Sequence, residues 1–110
     1  MVVQSSPASP EQDAEFNKWY DDEHLSEMLS LAGFTAARRY RLRETAAAAA
    51  PAHGYLTIYE VEADDLDAAL AAMRARPRGA TTDALSLDPP PLVLFYDLIA
   101  EATEPGWLPG

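Results

Sequence analysis

The chain has 110 residues, no cysteine, and 18 acidic against 8 basic residues, which gives a formal net charge of −10 at pH 7. This length predicts one domain, and the negative charge disfavours nucleic acids and anionic membranes, which bind Lys and Arg patches. The absence of cysteine excludes disulfides, thiolate catalysis and iron–sulfur clusters, and the lack of a long apolar stretch or a signal peptide predicts a cytoplasmic protein without a membrane span.

The first part of the chain predicts a strand followed by a long helix. Residues 1–5 are a short, largely apolar run, and turn residues follow them. Ser9 and Gln12 match a capping box at the start of a helix over residues 10–29. The apolar positions of this helix form no single stripe, so we expect a bend or a restart near Leu25.

Two strands joined by a loop are predicted next. Gly33 ends the helix, and residues 34–43 alternate with a period of two that places arginines on one face. Residues 44–54 contain an alanine run, a proline and a glycine, which favours a loop. Residues 55–62 alternate again and are rich in β-formers, so they predict a third strand.

A second helix and a fourth strand complete the domain. Asp64 is expected to cap the helix, which ends before Pro77, and a proline-rich loop leads to an apolar strand over residues 92–99. The order β-α-β-β-α-β predicts the α+β ferredoxin-like fold, a four-stranded antiparallel sheet with two helices on one face. One domain is expected over residues 1–100, followed by an irregular tail over 101–110.

A cluster of polar and aromatic residues lies within the first predicted helix, at residues 16–24. Asn17, Tyr20, Asp21 and His24 fall on or beside one helical face. Imidazole titrates close to neutrality, so His24 is the candidate general acid/base, which Asp21 would orient. Tyr20 would stabilise an oxyanion and Asn17 would position a substrate oxygen. The alternative is that His24 only balances the charge of an acidic helix end.

Candidate ligand-binding residues are spread over the helix and the strands. The aromatic residues expected to pack in the core or to wall a ligand are Trp19, Tyr40, Tyr55, Tyr59, Phe95 and Tyr96. Arg38 shares the strand face of Tyr40 and would hold a carboxylate or an enolate. By contrast, Arg39, Arg41 and Arg43 are expected either on a solvated face or as partners of the abundant acidic residues.

The sequence predicts neither a metal site nor a cofactor. The two histidines, His24 and His53, match no metal-ligand spacing with the scattered carboxylates, and His53 is expected to be a solvated loop residue. Nucleotide-binding glycine motifs and a nucleophile elbow are absent from the sequence. Because residues 92–99 are apolar on both faces of a strand, we expect the open face of the sheet to pack in a homodimer.

Residues 16–24, together with Met28, Leu29 and residues 37–40, resemble the first half of EthD-like members of the dimeric α+β barrel superfamily. Residues 55–61 resemble the third strand of that family. The resemblance implies that two chains join their sheets into a barrel with one pocket per chain. The superfamily includes cofactor-independent polyketide cyclases and monooxygenases, lactone isomerases, dehydratases and heme-degrading enzymes. The crowding of polar residues on one helix departs from the pattern of the heme degraders.

These observations together predict a cofactor-independent enzyme. Its substrate would be a small hydrophobic, oxygenated molecule of polyketide-like or aromatic type, and proton transfer would lead to cyclisation, dehydration or isomerisation. One alternative is a cofactor-free monooxygenase that ionises a phenol or an anthrone. Another alternative is a non-catalytic module that binds a small molecule.

Overall fold

A computed structural model describes residues 1–44, 52–75 and 82–103. Its elements in chain order are β1 (Val2–Ser5), a 3₁₀ turn (Pro10–Gln12), α1 (Asp13–Trp19), a π-helical turn (Tyr20–His24), α2 (Leu25–Leu29), β2 (Phe34–Arg41), β3 (Tyr55–Val61), α3 (Leu66–Ala75) and β4 (Leu92–Leu94). The strands form one antiparallel sheet in the order β2-β3-β1-β4. Since α1, the π turn and α2 are continuous, the predicted ferredoxin-like α+β fold is confirmed.

The helices cover one face of the sheet. Val3, Met28, Phe34 and Tyr59 form a buried cluster, against which Met73 of α3 also packs. Because α2 and α3 both contribute to this cluster, they lie on the same side of the sheet. A second buried cluster lies beneath α1 and contains Phe16, Tyr20 and Ala84.

The strand register assigns each side chain to the covered or to the open face. Thr57 of β3 pairs with Val3 on one side and with Arg39 on the other, so these three residues share the covered face. Arg38 pairs with Ile58, one position along, and both belong to the opposite face. No described helix covers that open face, which carries Val2, Leu56, Ile58, Leu92 and Leu94.

The long first helix changes its geometry at residues 20–24. The predicted restart near Leu25 is confirmed, because α2 begins at this residue after one turn of π-helix. A π-helix brings residues five apart together. The ring of His24 accordingly stacks on that of Trp19, with centroids 4.5 Å apart and planes 19° from parallel.

Both predicted helix caps differ from the structure. The Ser9 hydroxyl donates to the side-chain oxygen of Gln12 (2.9 Å) and caps no backbone N–H, so the predicted capping box is not formed. At α3, the carboxylate of Asp65 accepts the backbone N–H of Ala68 (3.1 Å). Asp65 caps this helix in place of Asp64, because α3 begins at the residue immediately after it.

The last strand is shorter than predicted. Only Leu92–Leu94 pair with β1, whereas the sequence predicts a strand over 92–99. Leu98 and Ile99 are 80% and 94% exposed, because the described residues offer no strand opposite them. The predicted 44–54 loop, the end of the second helix and the tail lie largely outside the described residues. Over the described ranges, no helix has the length and the apolarity needed to cross a membrane.

Candidate functional site

A recess of about 250 Å³ opens between the first helix and strands β2 and β3. Its lining consists of Asn17, Asp21, Arg39, Tyr40, Arg41 and Tyr55. Four of these residues, all but the two arginines, are site residues that the sequence predicts. The recess therefore brings part of the predicted site together and adds two cations to it.

Arg39 is at the centre of this arrangement. Its side chain is 13% exposed, and its guanidinium donates to the carboxylate of Asp21 (2.8 Å) and to the side-chain oxygen of Asn17 (2.9 Å). The guanidinium carbon lies 4.4 Å from the ring centroid of Tyr20, which is a cation–π contact. Of the two expectations for Arg39, a solvated face or pairing with an acidic residue, the second is confirmed, because β2 turns this side chain toward Asp21 and the aromatic residues of the helix.

The hydroxyl of Tyr55 joins the sheet to the first helix at the recess. It donates to the carboxylate of Asp13 and accepts the side-chain N–H of Asn17 (3.1 Å). The guanidinium carbon of Arg41 lies 5.6 Å from the Tyr55 ring centroid. Hydrogen bonding to Tyr55 raises the pKa of Arg41 above its usual value, so this side chain is a permanent cation. The phenol therefore has a proton acceptor on one side and hydrogen-bond donors on the other.

Asn17 and Asp21 line the helical side of the recess, and Asp13 continues the same stripe of residues spaced by four. Asp13, Asn17 and Asp21 share one face of the helix. On the sheet side, Arg39 and Arg41 are two apart on β2 and so share the covered face. Sequence reasoning missed Asp13 and both arginines. The signal that would have found them is a polar helical stripe spaced by four that faces alternate arginines on a strand.

The predicted catalytic pair of His24 and Tyr20 lies beside the recess. Neither residue lines it. His24 is half-buried against Trp19, and the ring of Tyr20 meets it edge-on at 5.1 Å. The hydroxyl of Tyr20 points under the helix, where Ser5 Oγ donates to it (3.3 Å). The catalytic roles of these two residues stay predictions.

Four predicted binding residues lie away from the recess, and the first of them, Trp19, stacks on His24. The side chain of Arg38 is 59% exposed on the open face and donates to Glu60 (3.0 Å). The sequence predicts that Arg38, and not Arg39, contacts a ligand. The recess is instead lined by Arg39. Tyr59 is 2% exposed in the core, and Phe95 follows the last residue of β4.

His53 is buried, and the prediction that it is a solvated loop residue is wrong. It is 8% exposed and is bonded through both ring nitrogens. Within the ranges that the structure describes, no three His, Asp or Glu side chains converge in a way that would hold a metal ion.

Neither a scan against protein-family models nor searches of the curated proteins and of the solved structures give a match to this chain. The resemblance to EthD-like proteins accordingly stays a prediction. The function is therefore inferred from the geometry of the recess.

Proposed function

We propose that the protein is a cofactor-independent enzyme that binds a small oxygenated molecule in the recess and transfers a proton to or from it. The observation that carries this proposal is the Tyr55 hydroxyl, which is bonded to Asp13 and Asn17 and lies beside Arg41. Groups held in this way need little rearrangement during a reaction, which is what electrostatic catalysis requires.

Each neighbour of Tyr55 makes a defined contact with the phenol. The carboxylate of Asp13 accepts a hydrogen bond from the hydroxyl, while the Asn17 amide donates to the same oxygen and the Arg41 guanidinium lies beside the ring. A phenolate would remove a proton next to a substrate carbonyl, and the phenol would return it at another position. Arg41 would then stabilise the enolate oxygen, because its charge is fixed and its side chain is exposed at the recess.

The lining of the recess favours an uncharged substrate that becomes anionic during the reaction. The two arginines are balanced by Asp21 and by the nearby Asp13, so little net positive charge is left for a substrate anion. The ring of Tyr55 provides apolar surface for a planar ring or an unsaturated carbonyl, whereas the strand register places the side chain of Tyr40 with Arg38 on the open face. Cyclisation, dehydration and isomerisation can all begin with proton removal beside a carbonyl, so all three reactions fit this site.

Hydrogen exchange tests the proposal without knowledge of the natural substrate. A panel of aryl ketones and unsaturated lactones, whose acidic C–H groups exchange slowly, is incubated with the protein in D₂O and followed by NMR. We expect exchange with at least one member, and a loss of about a hundredfold for Tyr55→Phe, the usual size of a general acid–base contribution. Tyr96→Phe is the matched control, because Tyr96 is 69% exposed and does not line the recess. Equal rates for wild type and Tyr55→Phe would contradict the assignment.

The sequence-based hypothesis places proton transfer on His24, and the same assay separates the two assignments. His24 does not line the recess, so His24→Ala should retain most of the exchange if Tyr55 carries the proton. A hundredfold loss for His24→Ala with an active Tyr55→Phe variant would instead support the imidazole.

A non-catalytic binding module is the second candidate. The charge of Arg39 is already compensated by Asp21 within the protein, and Tyr40 at the edge of the recess is 47% exposed. Such a lining can hold a ligand without reacting with it. This candidate predicts ligand-induced NMR shifts at the recess with no exchange for any member of the panel. Oxygen uptake with a candidate phenol or anthrone tests the alternative of a cofactor-free monooxygenase.

We also propose that a second copy of the chain covers the open face. This face carries Ile58 and four other apolar side chains, and the exposed segment after β4 adds acidic groups at Asp97 and Glu101. On the same open face, Arg38 of the edge strand β2 is exposed and carries a charge opposite to that of this acidic segment. Light scattering should show a dimer that Ile58→Glu converts to a monomer, whereas Leu29→Glu on α2 leaves it intact. A monomeric wild type would contradict the proposal.

A further inference from the structure

Three chain segments converge at the end of the sheet, where β1 stops and where β3 and β4 start. Ser6 follows β1, His53 precedes β3 by two residues, and Pro90 precedes β4 by two residues. The Ser6 hydroxyl lies 2.8 Å from Nδ1 of His53, and Nε2 of the same ring lies 2.8 Å from the carbonyl oxygen of Pro90. These residues are not part of the recess.

The chemistry of the three groups sets the position of the protons. A backbone carbonyl can only accept, so Nε2 of His53 must carry the proton that Pro90 receives. In the neutral ring, Nδ1 is then an acceptor, and the Ser6 hydroxyl must donate to it. This is the tautomer that a histidine needs to act as a general base toward a serine.

Further hydrogen bonds hold both ends of the hydrogen-bonded series Ser6, His53 and Pro90 in place. The backbone N–H of Ser86 donates to the carbonyl of Ser6 (2.9 Å), and the Ser86 hydroxyl donates to the carbonyl of Pro89 (3.2 Å), next to Pro90. The imidazole is 8% exposed, which restricts its rotation, while Ser6 is only half-buried. The pair of Ser6 and His53, here called the dyad, is therefore preorganised, and the hydroxyl of Ser6 is its more accessible end.

We propose that Ser6 is a nucleophile activated by His53, and that it accepts an acyl group from small activated esters. The oxygen of Ser6 forms a bond to the acyl carbon while its proton moves to Nδ1 of His53. The bond between the acyl carbon and the leaving oxygen or sulfur breaks, and the leaving group takes that proton. Water then hydrolyses the acyl-serine in a second step, with His53 again as the base; this step is slower, so the acyl-serine accumulates, because the serine oxygen is a poorer leaving group than an aryl oxide or a thiolate.

The third member of the series limits the substrate class. In a serine–histidine–aspartate triad, a carboxylate stabilises the imidazolium that forms during attack. The neutral carbonyl of Pro90 provides less of this stabilisation, so the reaction needs a leaving group that departs easily. Aryl esters and thioesters with a small acyl group meet this requirement, and amides do not.

Acetylation by p-nitrophenyl acetate, followed by mass spectrometry of the intact protein and its peptides, tests the proposal. We expect one acetyl group on Ser6 of the wild-type protein, none there in Ser6→Ala, and an acetylation rate about a hundredfold lower in His53→Gln. Ser30→Ala is the control, because Ser30 is exposed and its hydroxyl bonds only to the carbonyl of Glu27. This variant should react like the wild type.

Two outcomes would overturn the proposal. One is acetylation of Ser6 no faster than that of Ser9, Ser26 and Ser30 within the same wild-type molecule. The other is a folded His53→Gln protein that acetylates Ser6 at the wild-type rate, which would make the dyad a structural clamp only. The comparison within the wild-type molecule decides the matter even if His53→Gln does not fold.

Discussion

Arg38 and Arg39 are neighbours on one strand, yet they belong to two different regions of the molecule. Arg38 lies on the open face, 59% exposed, and bonds to Glu60 at 3.0 Å. Arg39 lies on the covered face, 13% exposed, and bonds to Asp21 at 2.8 Å. The two ion pairs have similar lengths, so distance does not distinguish them. Their surroundings do, because only Arg39 also contacts aromatic rings and an amide.

The comparison shows how one strand can carry both a surface charge and a site charge. Alternation sends successive side chains to opposite faces, and the helix then covers only one of them. Water screens the ion pair on the open face. On the covered face the cation has left most of its water, and losing a partner there leaves it poorly compensated. The covered face should therefore be the more sensitive to substitution.

The largest expected difference concerns the core beneath Arg39. Phe16 is fully buried, and the guanidinium carbon of Arg39 lies 5.7 Å from its ring centroid. Phe16→Ala should lower the free energy of unfolding by about 3–5 kcal/mol, because it leaves a cavity. Leu92→Ala on the open face, where Leu92 is 45% exposed, should cost about 1 kcal/mol at a protein concentration that keeps the chain monomeric. Urea denaturation measures both values, and equal losses would break the comparison.

The two arginines themselves provide the next test. Arg39→Met should destabilise the protein by about 2–3 kcal/mol, because it removes hydrogen bonds to Asp21 and Asn17 and a cation–π contact. Arg38→Met should leave the free energy of unfolding nearly unchanged, as expected for an exposed pair. The same denaturation experiment serves for both variants. A cost for Arg38→Met as large as that for Arg39→Met would show that the faces do not differ.

A smaller effect is expected at Tyr55, whose hydroxyl joins the helix to the sheet. Tyr55→Phe removes the bonds to Asp13 and Asn17 and should lower stability by about 1 kcal/mol. Tyr96→Phe should leave stability within about 0.3 kcal/mol, because Tyr96 is 69% exposed. Thermal unfolding compares the two variants with the wild type. No loss for Tyr55→Phe would mean that its hydrogen bonds add nothing to folding.

The smallest effect separates the two ion pairs by their response to salt. A double-mutant cycle on Arg38 and Glu60 should give a weak coupling at low salt that disappears near 1 M NaCl, where the screening length falls to about 3 Å. The coupling of Arg39 with Asp21 should persist, because the guanidinium is 13% exposed. Equal salt dependence would contradict the idea that the helix shields one pair.

The fold could be predicted from the sequence because local periodicity decides it. The alternation in residues 34–43 and 55–62 predicted strands β2 and β3, with ends within two residues of those observed. The length of β4 could not be predicted in this way. An apolar run of eight residues indicates a strand, but it does not show where the partner strand stops.

The site could be predicted only in part, because alternation divides a strand into two faces without showing which one is covered. The aromatic Tyr40 made the face of Arg38 look like the inner one, whereas the strand register places Arg39 with the core residue Thr57. His53 is a second case. Its partners Ser6 and Pro90 are 47 and 37 residues away, and no local pattern indicates such contacts.

The π-helical turn at Tyr20–His24 determines how the two segments of the first helix are rotated relative to each other about the helix axis. Each residue advances an α-helix by about 100°, so a locally wider turn offsets the two helical segments around their common axis. The upstream segment can present Asp13 and Asn17 to the recess while the downstream segment keeps Met28 in the core. Polar and apolar faces on one helix are thus set independently, and the polar stripe beside the recess can change in sequence without repacking the core.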